Sequence, residues 1–122
     1  MSGATFPKSA RLLRPNEFTQ ALRGKRIGRG AFFMLSRYVH YSSPDSNARL
    51  GLIIAKRHAQ KAASRNAIKR VIRESFRVRR HQLPPGDYIV RLHRKIPDCS
   101  LTELKKITRQ ELDSLFDTVK DN

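Results

Sequence analysis

Five cations stand four residues apart in the middle of this 122-residue chain: Lys61, Arg65, Lys69, Arg73 and Arg77. On an α-helix that spacing puts them on one face. Interleaved are Ile68, Val71, Ile72 and Phe76, the i, i+3, i+4, i+8 spacing of an apolar stripe. One side of such a helix packs on a core and another presents a row of like charge. Like charges at i, i+4 repel by about 0.2–0.5 kcal/mol per pair, and the only acid between Lys56 and Arg80 is Glu74. A row kept at that cost fits an anionic partner. Lys and Arg neutralise phosphates and release counterions, which makes the binding steeply salt-dependent. Lys56 and Arg57 extend the row ahead of the helix. The amide of Asn66, near Arg65 and Arg70, can reach a base, a sugar or a phosphate.

Residues that would cut RNA unaided are harder to find. A two-metal nuclease needs converging carboxylates, and Glu17, Asp45, Glu74, Asp87 and Asp98 stand apart. Glu111, Asp113 and Asp117 cluster, but on what reads as the solvated face of an amphipathic helix. His40, His58, His81 and His93 can serve as acid or base. None sits in a recognisable pairing, and only His58 lies beside the basic linker. Aromatic rings stack on unpaired bases; Phe18, Phe33 and Tyr38 are the candidates, with core packing as the competing use of each. No metal cage is visible, so a divalent ion would arrive with the nucleic acid. The single Cys99 excludes an internal disulfide and a cysteine-based zinc site, and fits a reducing cytoplasm.

The whole chain carries a net charge of +16, which points to a polyanion, either nucleic acid or an acidic membrane surface. No run approaches the roughly 18 apolar residues of a membrane span. The start, Met1 to Lys8, lacks the apolar core of an export signal. The charge is uneven: from Asp98 onward six acids face four Lys/Arg, so the first 97 residues hold 22 Lys/Arg against four acids, or +18. The C-terminal segment therefore reads as packing and the binding surface as lying before it.

The length suits one domain spanning 1–122, with residues 1–10 loosely ordered. Pro15 opens a short helix over about 15–23, closed by Gly24. Residues 24–30, basic and glycine-rich, read as a loop with room for a phosphate contact; Gly24-Lys25 lacks the surrounding residues of a P-loop. Residues 31–39 read as a strand with Phe32, Met34, Ser36 and Tyr38 on one face and Phe33, Leu35 and Arg37 on the other. After a turn at 42–47, a strand over 49–56 completes an apparent antiparallel hairpin, 31–56. Ser64 is the expected N-cap of the central helix, which runs to about Gln82 and stops at Leu83-Pro84-Pro85-Gly86. A third strand, 87–94, and a turn at 96–98 lead to the capping box Ser100-Leu101-Thr102-Glu103. The last helix then carries Leu101, Leu104, Ile107, Leu112, Leu115, Phe116 and Val119 as its apolar stripe. The order α-β-β-α-β-α predicts an α+β sandwich, helices against one small sheet. The general rule makes its β-α-β crossover right-handed.

Ser64-Arg65-Asn66-Ala67-Ile68-Lys69-Arg70, continuing to Arg77, resembles the signature of the bacterial ribonuclease P protein family, in which Arg-Asn-Arg and then Lys-Arg open a basic helix. Arg11 to Phe18 resembles the family's N-terminal segment, Arg49 to Arg57 its second strand, and Leu83 to Val90 the approach to its third. The resemblance covers nearly the whole chain. It implies the fold named for the second domain of a small-subunit ribosomal protein, with a left-handed crossover in place of the general rule. It implies a protein that assists a catalytic RNA in removing the 5′ leader from precursor tRNA, with the hydrolytic centre and its magnesium in the RNA. No further protein and no membrane is needed. By similarity Phe18, Phe33, Leu35 and Arg57 match the leader groove. Lys56, Arg57, Lys61, Arg65, Asn66, Lys69, Arg70, Arg73 and Arg77 match the contact to catalytic RNA and tRNA. Two departures stand out: Ala67 replaces the third signature residue, usually Arg, and Leu22 and Leu35 stand where some members carry aromatics. The alternatives are a structural RNA binder such as a ribosomal protein, a self-sufficient nuclease and a membrane-active cationic protein.

Overall fold

The computed structural model describes residues 24–39 and 48–120. The expected helix at 15–23, Phe18 within it, the loose start at 1–10 and the turn at 42–47 lie outside these residues. In chain order the elements are β1 (Lys25–Arg29), β2 (Phe33–Tyr38), β3 (Ala48–Ile53), α1 (Ala62–Arg79), β4 (Gly86–Leu92) and α2 (Leu101–Lys120). They form an α+β structure around one mixed sheet of order β1-β2-β4-β3.

β4 is the centre of that sheet because it is the strand most completely buried on both sides: Gly86 to Val90, Asp87 included, are all buried. A strand covered on both faces belongs inside a sheet. It pairs antiparallel with β2 and parallel with β3. The expected hairpin over 31–56 is thereby corrected: β2 and β3 are not neighbours, since β4 lies between them. The expected loop at 24–30 is also corrected. Lys25 to Arg29 pair with β2, with a bulge between Arg26 and Gly28. The bulge lets Ile27 pack against the core while the flanking cations stay exposed.

α1 and α2 cover one face of the sheet. Ile68, Ile72 and Phe76 of α1 and Leu112 and Phe116 of α2 join Phe33, Leu35, Leu50, Tyr88, Val90 and Leu92 in one buried cluster. Phe76 sits between Tyr88 and Phe116, with ring centroids 6.1 and 5.8 Å away in tilted contact. The opposite face holds a separate small cluster, Ile89 with Tyr38 and Ile53.

The two helices run parallel, since Ser75 bonds Asp113 and Arg79 bonds Asp117 at the same offset of 38 residues. α1 starts earlier than expected: Lys61 is its N-cap, without a side-chain cap bond, and Ser64 lies in the first turn. α2 starts as its capping box predicts, with Glu103 N donating to Ser100 Oγ at 3.1 Å. Leu101, placed in the apolar stripe by its spacing, is 43% exposed. Gly86 has φ +146°, a backbone region other residues rarely adopt, where the turn after α1 enters β4.

Candidate nucleic-acid interface

Each i+4 step on a helix advances about 40° around its axis. The row from Lys61 to Arg77 is therefore a spiral, and its members meet different surroundings. Asn66, Arg70 and Arg73 are exposed and Lys69 is half-buried. Arg65 lies toward the sheet side, where its Nη1 donates to the carbonyls of Ala59 at 2.9 Å and Gln60 at 2.8 Å. It thus ties the linker to the helix. Arg77 forms a two-pronged pair with Glu74, Nε to Oε2 at 3.0 Å and Nη2 to Oε1 at 2.5 Å. That hydrogen bond holds the Glu74 carboxyl below its usual range and raises the guanidinium.

Ahead of α1, Lys56, Arg57 and Lys61 are exposed. The linker between them is compact: His58 N and Ala59 N both donate to Ala55 O, and Ala59 is buried. Arg57 Nε donates to His58 Nε2 at 3.3 Å. Partial desolvation, and then the positive charge of Arg57 and Arg91, lower the His58 pKa from its ordinary 6.5. A neutral ring at pH 7 is consistent with its accepting that bond. His93 is half-buried, with Nε2 3.0 Å from Gly30 O, so it fastens the β1–β2 turn.

The acids explain why this surface stays positive. Asp113 accepts from Ser75, Arg79 and Arg109, and Asp117 from Arg79. Asp87, buried in β4, takes a bidentate pair from Arg49 at 2.7 and 2.8 Å. Glu111 Oε2 accepts from the backbone N–H of Phe32 at 3.0 Å and Phe33 at 2.6 Å. Gly30 leaves room for that carboxylate, because a Cβ there would collide with it. Of the expected solvated acidic face of α2, Asp117 stays exposed while Glu111 and Asp113 are half-buried in packing contacts. Apart from the i,i+4 pair of Arg109 with Asp113, sequence periodicity could not show these contacts, because the other partners lie 34 to 79 residues away. Lys56, Arg57, Lys61, Lys69 and Arg70 have no carboxylate partner among the described residues.

The sheet's second face is also basic. Its residues are Arg26 and Arg29 of β1, Met34, Ser36 and Tyr38 of β2, Asp87, Ile89 and Arg91 of β4, and Arg49, Gly51 and Ile53 of β3, with Asp87 neutralising Arg49. Arg26, Arg29 and Arg91 are exposed. The expected groove residues of β2 lie elsewhere: Phe33 is 1% exposed and Leu35 0%, both in the core under the helices. Alternation along β2 sends odd-numbered residues to the helices and even-numbered ones to the opposite face. Tyr38, the third aromatic candidate, is on that opposite face and half-buried. Ala67 is 7% exposed, so the Arg usual at this signature position would have to reach outward along its stem. Among the described residues no cluster of three His, Cys, Asp or Glu could hold a metal ion. No described helix is long and apolar enough to cross a membrane.

A linker and helix face lined with unneutralised cations, beside a basic sheet face, can bind phosphates on two sides of one small domain. Known proteins resemble this chain in sequence and fold. The ribonuclease P family model matches residues 6–120. The ribonuclease P protein component of Bordetella avium is 56% identical over 116 residues, covering 95% of this chain and 96% of that protein. That of Paraburkholderia xenovorans is 39% identical, covering 93% and 83%. The ribonuclease P protein structure from Staphylococcus aureus superposes with a TM-score of 0.68 at 22% identity, over 89% of this chain and 99% of that one. The Thermotoga maritima protein, solved with 1-(4-fluorophenyl)-2-thiourea, gives 0.65 at 22%, over 88% and 94%. The chain belongs to the ribonuclease P protein family, as the RNA-binding protein subunit of that tRNA-processing endoribonuclease.

Proposed function

We propose that α1 and its linker seat on the catalytic RNA while the basic sheet face opposite the helices holds the 5′ leader of precursor tRNA. The observation that carries this reading is the sorting of charge. The carboxylates beside α1 are drawn toward Arg79 and Arg109 or folded onto Arg77, and Lys56, Arg57, Lys61, Lys69 and Arg70 are left to an outside anion. Asn66 and Arg73, exposed on the same face, add an amide and a further cation. Arg65 acts from beneath, fixing the linker on which Lys56 and Arg57 stand.

On the sheet side, Arg26, Arg29 and Arg91 supply charge around the side chains of Met34, Ser36 and Tyr38. A single strand laid there meets cations for its phosphates and a ring for a base. Phe33 and Leu35 support this surface from within. Hydrolysis belongs to the RNA and its Mg²⁺, and the protein's part is to hold leader and RNA together, in the cytoplasm. Arg91→Ala tests the sheet assignment. In the assembled holoenzyme it should weaken precursor tRNA about fivefold or more and leave mature tRNA unchanged. Equal losses for both would move the leader off the sheet.

A further inference from the structure

Where the feet of the two parallel helices meet, the linker before α1 and the loop before α2 enclose a cavity of about 280 Å³. The interface described above shares its rim residue Lys61 but not its floor. Its floor is apolar: Ile96, packed against the core, Pro97 and the buried Leu104. Its rim is polar, with Lys61 and Gln60 on one side and Lys95 and Asp98 on the other. The two walls are fastened together. Ile96 N donates to His58 O at 3.0 Å, and Arg65 holds the carbonyls of Ala59 and Gln60. The cavity is therefore formed before any ligand arrives.

We propose that this cavity receives one unpaired nucleotide of the RNA subunit, its base on the apolar floor and its phosphates between Lys61 and Lys95. The size is just below the roughly 300–1,000 Å³ of pockets that enclose drug-sized ligands, which suits one base with its sugar. RNA is read chiefly through such splayed-out bases, because its paired grooves hide their edges. The position is continuous with Lys56, Arg57 and Lys61, so the inference rests on the reading that α1 faces the catalytic RNA.

Asp98 sharpens the ligand. It is exposed on the rim and has no ion-pair or hydrogen-bond partner among the described residues. A carboxylate there opposes phosphate but accepts from base N–H groups, so it favours guanine, whose exposed edge offers two adjacent donor groups, over adenine, cytosine and uracil, which each offer one. Gln60 adds an amide on the facing wall. His58, also lining the cavity and kept largely neutral at pH 7, adds a flat ring at the rim.

Cys99, the chain's single cysteine, lines the same cavity and is exposed, so its alkylation by the neutral reagent iodoacetamide reports on occupancy. The experiment compares the alkylation rate of the free protein with that of the protein assembled on its RNA subunit. A parallel arm uses a Cys99→Ser, Asn66→Cys variant, whose thiol lies on the exposed face of α1. Assembly should slow both thiols about tenfold or more. Asp98→Asn should bind the RNA about tenfold more weakly with an unchanged circular dichroism spectrum. Protection of the α1 thiol alone would overturn the cavity proposal and leave the interface standing. Protection of neither would overturn both. Full protection of Cys99 with unchanged affinity for Asp98→Asn would overturn the assigned base contact.

Discussion

Arg65 and Arg70, five residues apart on α1, use the same guanidinium group differently. Arg65 bonds two linker carbonyls, whereas Arg70 points to solvent with no carboxylate partner among the described residues. Removing Arg65 leaves two carbonyls without a charged donor, and a partly exposed pair of such bonds is worth about 1 kcal/mol. Arg65→Ala should therefore lower the urea midpoint, and its RNA affinity should fall because the linker loosens. Arg70→Ala should keep the midpoint and flatten the salt dependence of RNA binding by about one unit. An unaltered salt slope for Arg70→Ala would remove it from the phosphates. Ala67 belongs to the same scale. Its side chain is buried on α1, where an Arg would have to run along its stem to reach solvent.

Among the elements, those whose evidence is local were legible in the sequence. α1 and α2 follow from 3.6-residue periodicity and their stop and start residues, and β4 from its apolar run. β1 was hidden because three glycines and three cations across residues 24–30 read as loop, and only pairing with β2 makes Lys25 to Arg29 a strand. The pairing of β3 was hidden for a related reason: a strand 33 residues further on inserts beside it. The same long-range packing placed Phe33 and Leu35 in the core, while alternation alone left both faces of β2 equivalent. Glu111 shows how such contacts set the turn between β1 and β2. Glu111→Ala would strand two backbone N–H groups and should cost about 2 kcal/mol in chemical denaturation, with little change if water replaces the carboxylate fully. Tyr88 ties the turn before β4, its hydroxyl donating to Pro84 O at 2.6 Å. Burial raises its pKa to about 12, with Arg37 opposing. A folded pKa above the unfolded value of about 10 means that the stabilisation is complete below pH 10 and is lost as pH rises toward 12. Tyr88→Phe should therefore lose less stability than the parent between pH 10 and 11.5, and equal losses would contradict the burial argument.

Across the whole molecule, the fold separates charge that the sequence merely contains in excess. A net +16 says that a polyanion is bound, but not where. The structure pairs Glu111, Asp113 and Asp117 of α2 with the β1–β2 turn, Arg79 and Arg109, so the surplus emerges on α1, its linker and the sheet face opposite the helices. Repulsion among those cations is relieved when RNA binds, so assembly should tighten as salt falls. The most direct test is cleavage of a precursor tRNA by the RNA subunit from the same source, at low Mg²⁺, with rising amounts of protein. The parent chain should restore accurate 5′ cleavage. A folded Lys69→Ala, Arg70→Ala, Arg73→Ala variant should need about 10- to 100-fold more protein to do so. Rescue by that variant at the parent's concentration would show that the α1 face is not where the catalytic RNA is held.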